Sequence, residues 1–150
     1  MADVVVDTGV IIEFIDEQGE FHQQAKLIFS AALAGELGLI IPHPVLAETY
    51  YVAARIYREL AIKEPEARAT KLIEWLYRLP EVRVVEGLEL ALRASKLKLD
   101  FGMTLTDCYV LATAKLHQCP AVFRRPEKEM LPNLNSLRRE VHIIFLEIYQ

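Results

Sequence analysis

The sequence has no excess of basic over acidic residues, no long apolar run and only two cysteines, and each of these features excludes a class of protein. Its 150 residues carry 17 lysines and arginines against 21 acids, a formal net charge of −4. A chain without an overall basic field does not attract nucleic acid by charge alone, so a phosphate-bearing substrate would need cations placed locally. No uninterrupted apolar run reaches membrane-spanning length, and we expect a soluble protein with no membrane partner.

The two cysteines predict a reducing environment. Cys108 and Cys119 fall near the two ends of one predicted helix, about 16 Å of rise apart, which is too far for a disulfide. The N-terminal stretch contains Asp3, Asp7 and Glu13 and lacks a basic leader, which argues against a signal peptide. We therefore expect a cytoplasmic protein with free thiols.

Several familiar motifs are missing as well. No G-x-G-x-x-G or G-x-x-x-x-G-K-[ST] string occurs, and the histidines at positions 22, 43, 117 and 142 show no metal-ligand spacing. The tripeptide formed by Asp7, Thr8 and Gly9 matches the active-site sequence of aspartic proteases. Those enzymes need two such aspartates on an all-β body, whereas this chain has one copy and a largely helical pattern.

Short apolar or β-branched runs alternate with amphipathic helical patterns. Strands are predicted at 4–6, 39–41, 82–85, 121–123 and 141–146, with a proline ending the second. Helices are predicted at 10–15, 21–33, 44–61, 65–79, 88–99 and 104–118, and a long loop with one helical turn at 124–140. This order predicts one domain over 1–150, a three-layer α/β/α sandwich with a mostly parallel sheet, whose ligands lie beyond the carboxyl ends of the strands.

Three acids that are far apart in the sequence lie where an apolar segment passes into a helix. They are Asp7, Glu48 and Asp107. Converging carboxylates repel each other, and hard divalent ions such as Mg²⁺ or Mn²⁺ relieve that repulsion through oxygen ligands. Each acid also has an ordinary interpretation: Asp7 can cap a helix, Asp107 can complete a capping box with Thr104, and Glu48 can be a solvated helix residue. Their joint occurrence favours a shared metal site.

The three acids with their flanking residues resemble the PIN domain, the metal-dependent ribonuclease fold of VapC-type toxins. The matching segments are VVVDTGVII, PHPVLAETYY and TLTDCYVLATAKLHQCPAVF. The resemblance implies a sandwich in which Asp7, Glu48 and Asp107 hold Mg²⁺ or Mn²⁺ and carry catalysis, with Thr8 and Thr106 as supporting hydroxyls. It also implies an RNA substrate, a homodimer, and an antitoxin whose tail occupies the active-site groove, although PIN domains also serve in RNA processing.

One position departs from the family pattern. PIN domains commonly carry a fourth acid just after the strand that corresponds to 121–123, and here Arg125 occupies that place. Glu127 and Glu129 are close enough in sequence to substitute for it. Arg124 and Arg125 are either a solvated turn or a phosphate clamp, since guanidinium groups bind phosphate in a bidentate fashion. The sequence thus predicts a ribonuclease that cleaves single-stranded or structured RNA, with a degenerate, non-catalytic RNA- or protein-binding module as the alternative.

Overall fold

Five strands and seven α-helices alternate over residues 2–148, the part of the chain that the computed structural model describes. The strands are β1 (Ala2–Val6), β2 (Leu37–Pro42), β3 (Val82–Val85), β4 (Ala121–Phe123) and β5 (Ile143–Phe145). The helices are α1 (Thr8–Ile15), α2 (His22–Leu33), α3 (His43–Glu59), α4 (Pro65–Arg78), α5 (Leu88–Phe101), α6 (Leu105–His117) and α7 (Leu134–Arg138), with short 3₁₀ turns at Leu131–Asn133 and Leu146–Ile148.

The strands form one sheet in the order β3-β2-β1-β4-β5, and every neighbouring pair is parallel. Crossover connections between parallel strands are right-handed, so α1 to α4 cover one face and α5 and α6 cover the other. The predicted three-layer α/β/α sandwich is confirmed, and the sheet is wholly parallel. A sheet covered on both faces explains why its strands are continuous apolar runs.

The helices on the first face are joined by an aromatic stack. The rings of Phe14 in α1 and Phe29 in α2 lie 4.2 Å apart between centroids, and Trp75 in α4 lies 6.1 Å from Phe14 and 6.4 Å from Phe29. Stacked aromatic pairs stabilise such contacts beyond the apolar area that they bury. The stack holds α1 against the sheet, and α1 begins at the residue immediately after Asp7.

The structure adds detail to the predicted elements at two prolines. Pro42 was expected to follow the last residue of β2, but it is itself the last residue of the strand and pairs with Val85. Proline is tolerated there because the hydrogen bonding between β2 and β3 ends at this pair, so its missing N–H breaks no bond. The predicted loop at 124–140 contains a 3₁₀ turn and α7. Pro132 lies in the first turn, where proline is tolerated, and Leu137 is buried, so this apparent helix breaker begins a short helical segment.

Both cysteines are free, as predicted. Cys108 is buried in α6, and burial raises the pKa of its thiol to about 11. A thiol with so high a pKa is a poor nucleophile, so Cys108 is a packing residue. Within residues 2–148, no helix combines the length and the apolar character that crossing a membrane requires.

Candidate functional site

The three predicted acids line one open cleft at the carboxyl end of the sheet. β2 and β3 lie on one side of β1, and β4 and β5 lie on the other, so the direction of the strand order reverses between β1 and β4. Ligands of open α/β sheets bind at such a reversal. Asp7 follows β1, and its N–H donates to the carbonyl of Val122 in β4 at 3.1 Å. Glu48 in α3 and Asp107 in the first turn of α6 complete a cleft of about 550 Å³.

Asp7 is a buried carboxylate without a hydrogen-bond partner for one of its oxygens. Asp7 is 8% exposed, and its Oδ1 has no hydrogen-bond partner within residues 2–148. It occupies the N-cap position of α1, but its side chain makes no capping hydrogen bond. Capping therefore does not explain this residue. Buried polar oxygens almost always have a partner, so Asp7 Oδ1 is a candidate for contact with a ligand.

The electrostatics of the cleft disfavour ionised carboxylates. Burial, followed by the negative charges of Asp107 and Glu48, raises the pKa of Asp7 from 3.8 to about 8, against the opposing effect of the nearby N–H groups of Thr8 and Gly9. Burial likewise raises the pKa of Asp107 to about 6. Carboxylates that are both desolvated and close to other negative charges are typical of functional sites. A bound cation would offset the free-energy cost of ionising them.

The capping interpretation of α6 is correct for Thr104. The hydroxyl of Thr104 accepts a hydrogen bond from the Asp107 N–H at 3.4 Å. The same hydroxyl opposes the rise in the Asp107 pKa, whereas negative charge on Glu127, Glu48 and Glu129 supports it. Asp107 is therefore held by its backbone in the first turn of α6 while its carboxylate faces other acids.

The donor set fits a hard divalent ion. Over residues 2–148 no three His, Cys, Asp or Glu side chains lie close enough together to form a ready-made metal group. The chemistry of the cleft nevertheless suits Mg²⁺ or Mn²⁺, because Asp7 offers an unpartnered buried oxygen and the lining donors are carboxylates. Asp7 and Asp107 are the buried members of the set, and Glu48 is a half-buried one.

The remaining predicted residues divide between the cleft and its surroundings. Thr8 and Glu127 line the cleft, and the Thr8 hydroxyl is buried without a hydrogen-bond partner in the described part of the chain. Thr106 and Glu129 are not among the lining residues. Of the two arginines, Arg124 lines the cleft, whereas Arg125 is not a lining residue and pairs with Glu20 at 2.8 Å.

Three charged residues of the lining were not predicted from the sequence, namely Glu13, Asp16 and Arg55. Glu13 is buried, and its Oε1 accepts a hydrogen bond from Nε of Arg124 at 2.5 Å. A single acid inside the apolar run VIIEFI of α1 was a signal that could have identified Glu13. Arg55 lies two turns after Glu48 on α3, so helical spacing could have placed it on the same face.

Comparison with known proteins agrees with this architecture. VapBC2 from Rickettsia felis, solved bound to a DNA fragment from its promoter, matches with a TM-score of 0.61 at 10% identity, over 94% of this chain and 96% of that one. The sarcin-ricin loop cleaving toxin VapC20 from Mycobacterium tuberculosis matches with a TM-score of 0.62 at 16% identity, over 79% and 86%. A toxin-antitoxin complex from Klebsiella pneumoniae gives 0.57 at 20% identity, over 85% and 89%.

At these identities the solved structures establish the fold alone. Among curated proteins, none matches the sequence significantly. The family assignment comes from the sequence model of the PIN domain, which matches residues 4–125 and so includes Asp7, Glu48 and Asp107. The resemblance found in the sequence is confirmed, and the chain belongs to the PIN domain family.

Proposed function

We propose that this protein is a Mg²⁺- or Mn²⁺-dependent endoribonuclease and the toxin of a toxin-antitoxin pair. The observation that carries the proposal is the convergence of Asp7, Glu48 and Asp107 on one cleft, with a buried and unpartnered oxygen on Asp7. Membership of the PIN domain family and the VapC neighbours support the same reaction class. The substrate is single-stranded or structured RNA.

Each side chain has a defined part in this proposal. Asp7, Glu48 and Asp107 hold the ion, and Glu127 and the Thr8 hydroxyl support them from the cleft wall. A bound divalent ion would supply an activated water and neutralise charge on the scissile phosphate. Protons compete for the same carboxylates because burial raises the pKa of Asp7 and Asp107, so metal binding should strengthen as the pH rises.

Two arginines, Arg55 and Arg124, line the cleft, and Arg124 is the one that we assign to an anionic substrate. A guanidinium binds phosphate oxygens well. This local cation provides what the overall charge of −4 does not. In this proposal Arg124 contacts the RNA backbone, and Arg125 stands outside the cleft beside Glu20.

We extend the proposal to two protein partners, a second copy of the chain and a small antitoxin whose tail occupies the cleft. Two of the solved structures with this fold are toxin-antitoxin assemblies. Size-exclusion chromatography with light scattering tests the homodimer. Co-purification with the product of a small neighbouring reading frame tests the antitoxin, and an RNase that is active, monomeric and without such a neighbour would instead be an RNA-processing enzyme.

A cleavage assay on single-stranded RNA tests the activity. We expect cleavage with Mn²⁺, none in EDTA, and a rate lowered by several orders of magnitude in Asp7→Asn, because the carboxylate holds the group that positions the nucleophile. Asp16→Asn is the matched control, since Asp16 lines the same cleft but is exposed and bonded to the Gln18 N–H. Activity that survives both EDTA and Asp7→Asn would come from a contaminant.

The competing function is a PIN-like module that binds RNA or protein without cleaving it. The observation in its favour is Arg125, which stands in the place of the family's fourth acid and does not line the cleft. Thermal melts with and without Mn²⁺ separate the two functions. Mn²⁺ should stabilise the wild type and stabilise Asp107→Asn much less. Equal stabilisation of both would contradict a shared ion site and favour the non-catalytic module.

A further inference from the structure

Glu13 and Arg124 form an ion pair in which the two partners are very unequally exposed. The Glu13 side chain is 5% exposed and the Arg124 side chain 39%. The acid is thus buried in α1, and the guanidinium it holds reaches the solvent of the cleft. Burying a carboxylate is unfavourable unless both of its oxygens have hydrogen-bond partners. The burial of Glu13 is therefore not explained as an ordinary surface ion pair.

The position of Glu13 is fixed by several elements. Its Oε1 accepts from Nε of Arg124, and its Oε2 accepts from the Phe21 N–H at 3.0 Å. The His22 ring lies within hydrogen-bond distance, 2.8 Å, of the Glu13 carbonyl oxygen. Both carboxylate oxygens are therefore committed, one to the start of α2 and one to the end of β4, and the acid cannot itself serve as a metal ligand without breaking these bonds.

Arg124 keeps its outer nitrogens available. Only Nε is bonded to protein among residues 2–148, and the two terminal nitrogens make no protein hydrogen bond there. The guanidinium carbon lies 5.6 Å from the centroid of the Phe21 ring, which supports it from one side. A guanidinium held by Nε and an aromatic ring can bind a phosphate oxygen with the terminal nitrogens.

The absence of a side chain on Gly9 brings Arg124 next to the acids. A β carbon at Gly9 would lie 2.9 Å from Cβ of Arg124 and 3.7 Å from Oδ2 of Asp7. Arg124 and Asp7 thus flank the same bare stretch of α1. The geometry places the bonded guanidinium beside the candidate ion site rather than on a remote surface.

The neighbouring ion pair, Arg125 with Glu20, lies on the surface and serves as a comparison for Glu13 and Arg124. Arg125 pairs with Glu20, whose side chain is 62% exposed, and its guanidinium carbon lies 5.2 Å from the same Phe21 ring. This pair shares the ring and the chemistry of the first but does not line the cleft. Exposed ion pairs contribute little to stability, so Glu20 is a matched control for Glu13.

We propose that Glu13 is a positioning residue that holds the Arg124 guanidinium in the cleft, where its terminal nitrogens bind a phosphate of the RNA backbone next to the scissile bond. This inference rests on the proposed ribonuclease function and adds the residue that orients its substrate. Glu13 does not touch the substrate. It acts through Arg124, so its loss should matter only while Arg124 is present.

A double-mutant cycle tests the inference. Glu13→Gln, Arg124→Gln, the double variant and the control Glu20→Gln are compared for kcat and KM with Mn²⁺, for RNA binding in EDTA across a salt series, and for melting temperature. Glu13→Gln keeps the shape of the side chain and the acceptor for the Phe21 N–H. Arg124→Lys is added because it retains the charge at a half-exposed position.

We expect Arg124→Gln to weaken RNA binding in EDTA and to make the salt slope shallower by about 0.7, the value for one phosphate contact on a single strand. Glu13→Gln should retain that slope but lower kcat about tenfold with KM unchanged or lower, since the charge remains and its position is lost. The double variant should match Arg124→Gln. Arg124→Lys should keep the slope and lose kcat.

Three results would overturn the inference. One is a Glu13→Gln variant that behaves like Glu20→Gln, with kcat and KM at wild-type values. Another is an additive loss in the double variant, which would show that Glu13 acts independently of Arg124. In both cases a wild type that cleaves RNA with Mn²⁺ leaves the proposed function standing. A wild type that neither binds nor cleaves RNA would overturn the proposed function and the inference together.

Discussion

The ionisation of Asp7 should make the metal-free protein less stable as the pH rises. Burial and neighbouring negative charge raise the pKa of Asp7 to about 8 in the folded state, against about 3.9 in the unfolded chain. The folded state therefore binds the proton more tightly. The destabilisation is absent below about pH 4, grows as the pH rises through the interval between these two pKa values, and is constant above about pH 8. Four pKa units correspond to at most about 6 kcal/mol.

The neutral isostere Asp7→Asn removes this dependence. In EDTA we expect the variant and the wild type to have similar free energies of unfolding near pH 4, and the variant to be more stable by several kcal/mol at pH 8. The difference should grow by at most about 1.4 kcal/mol per pH unit between these limits. Urea denaturation at intervals from pH 4 to pH 9 measures it. Glu17→Gln is the control, because Glu17 is exposed and lies outside the cleft.

Parallel stability curves for wild type and Asp7→Asn would refute this reasoning. They would mean that Asp7 is hydrated in solution or has a partner that neutralises its charge. With saturating Mn²⁺ the order at pH 8 should reverse, because a ligand that binds the folded wild type stabilises it and binds the variant weakly. Equal stabilisation of the wild type and Asp7→Asn by Mn²⁺ would place the ion away from Asp7.

Two further substitutions test the support of the site. Gly9→Ala should destabilise the protein by about 1–3 kcal/mol and lower the cleavage rate, because the new methyl group would lie 2.9 Å from Cβ of Arg124 and force β4 or α1 to move. Chemical denaturation measures the loss of stability. A stability equal to that of the wild type would contradict the close approach. Thr104→Ala should cost about 0.5–1 kcal/mol through loss of the cap that bonds the Asp107 N–H, with the midpoint of urea denaturation as the readout and an unchanged midpoint as the contrary result.

The convergence of the acids could be predicted because it depends on local patterns. A β-branched run that passes directly into a helix marks the carboxyl end of a parallel strand, and all such ends lie at one edge of the sheet. Asp7 follows such a run, and Asp107 opens a helix that the sequence also marks with Thr104. The alternation of strands and helices likewise predicted the three layers.

The direction of the two arginines could not be predicted from the sequence. Alignment with the family pattern put Arg125 in the place of an acid, but it gave no direction for the side chain. Both guanidinium groups lie over the Phe21 ring, and they differ in their acid partners, Glu13 for Arg124 and Glu20 for Arg125. The partner that fixes Arg124 is 111 residues away in the sequence, beyond the reach of any local pattern.

The pairing of Glu13 with Arg124 also explains how a guanidinium and a metal site can share one cleft. Arg124 lies beside Gly9, as does Oδ2 of Asp7, and an unattached arginine there would pair with Asp7 and neutralise a metal ligand. Glu13 binds the guanidinium first, through Nε and from the buried side. Among residues 2–148, Asp7 Oδ1 consequently keeps no protein partner, and in our proposal this oxygen binds the cation. The proposed role of Glu13, a buried acid that contacts neither ion nor substrate, is thus to keep the positive and negative groups of the site apart.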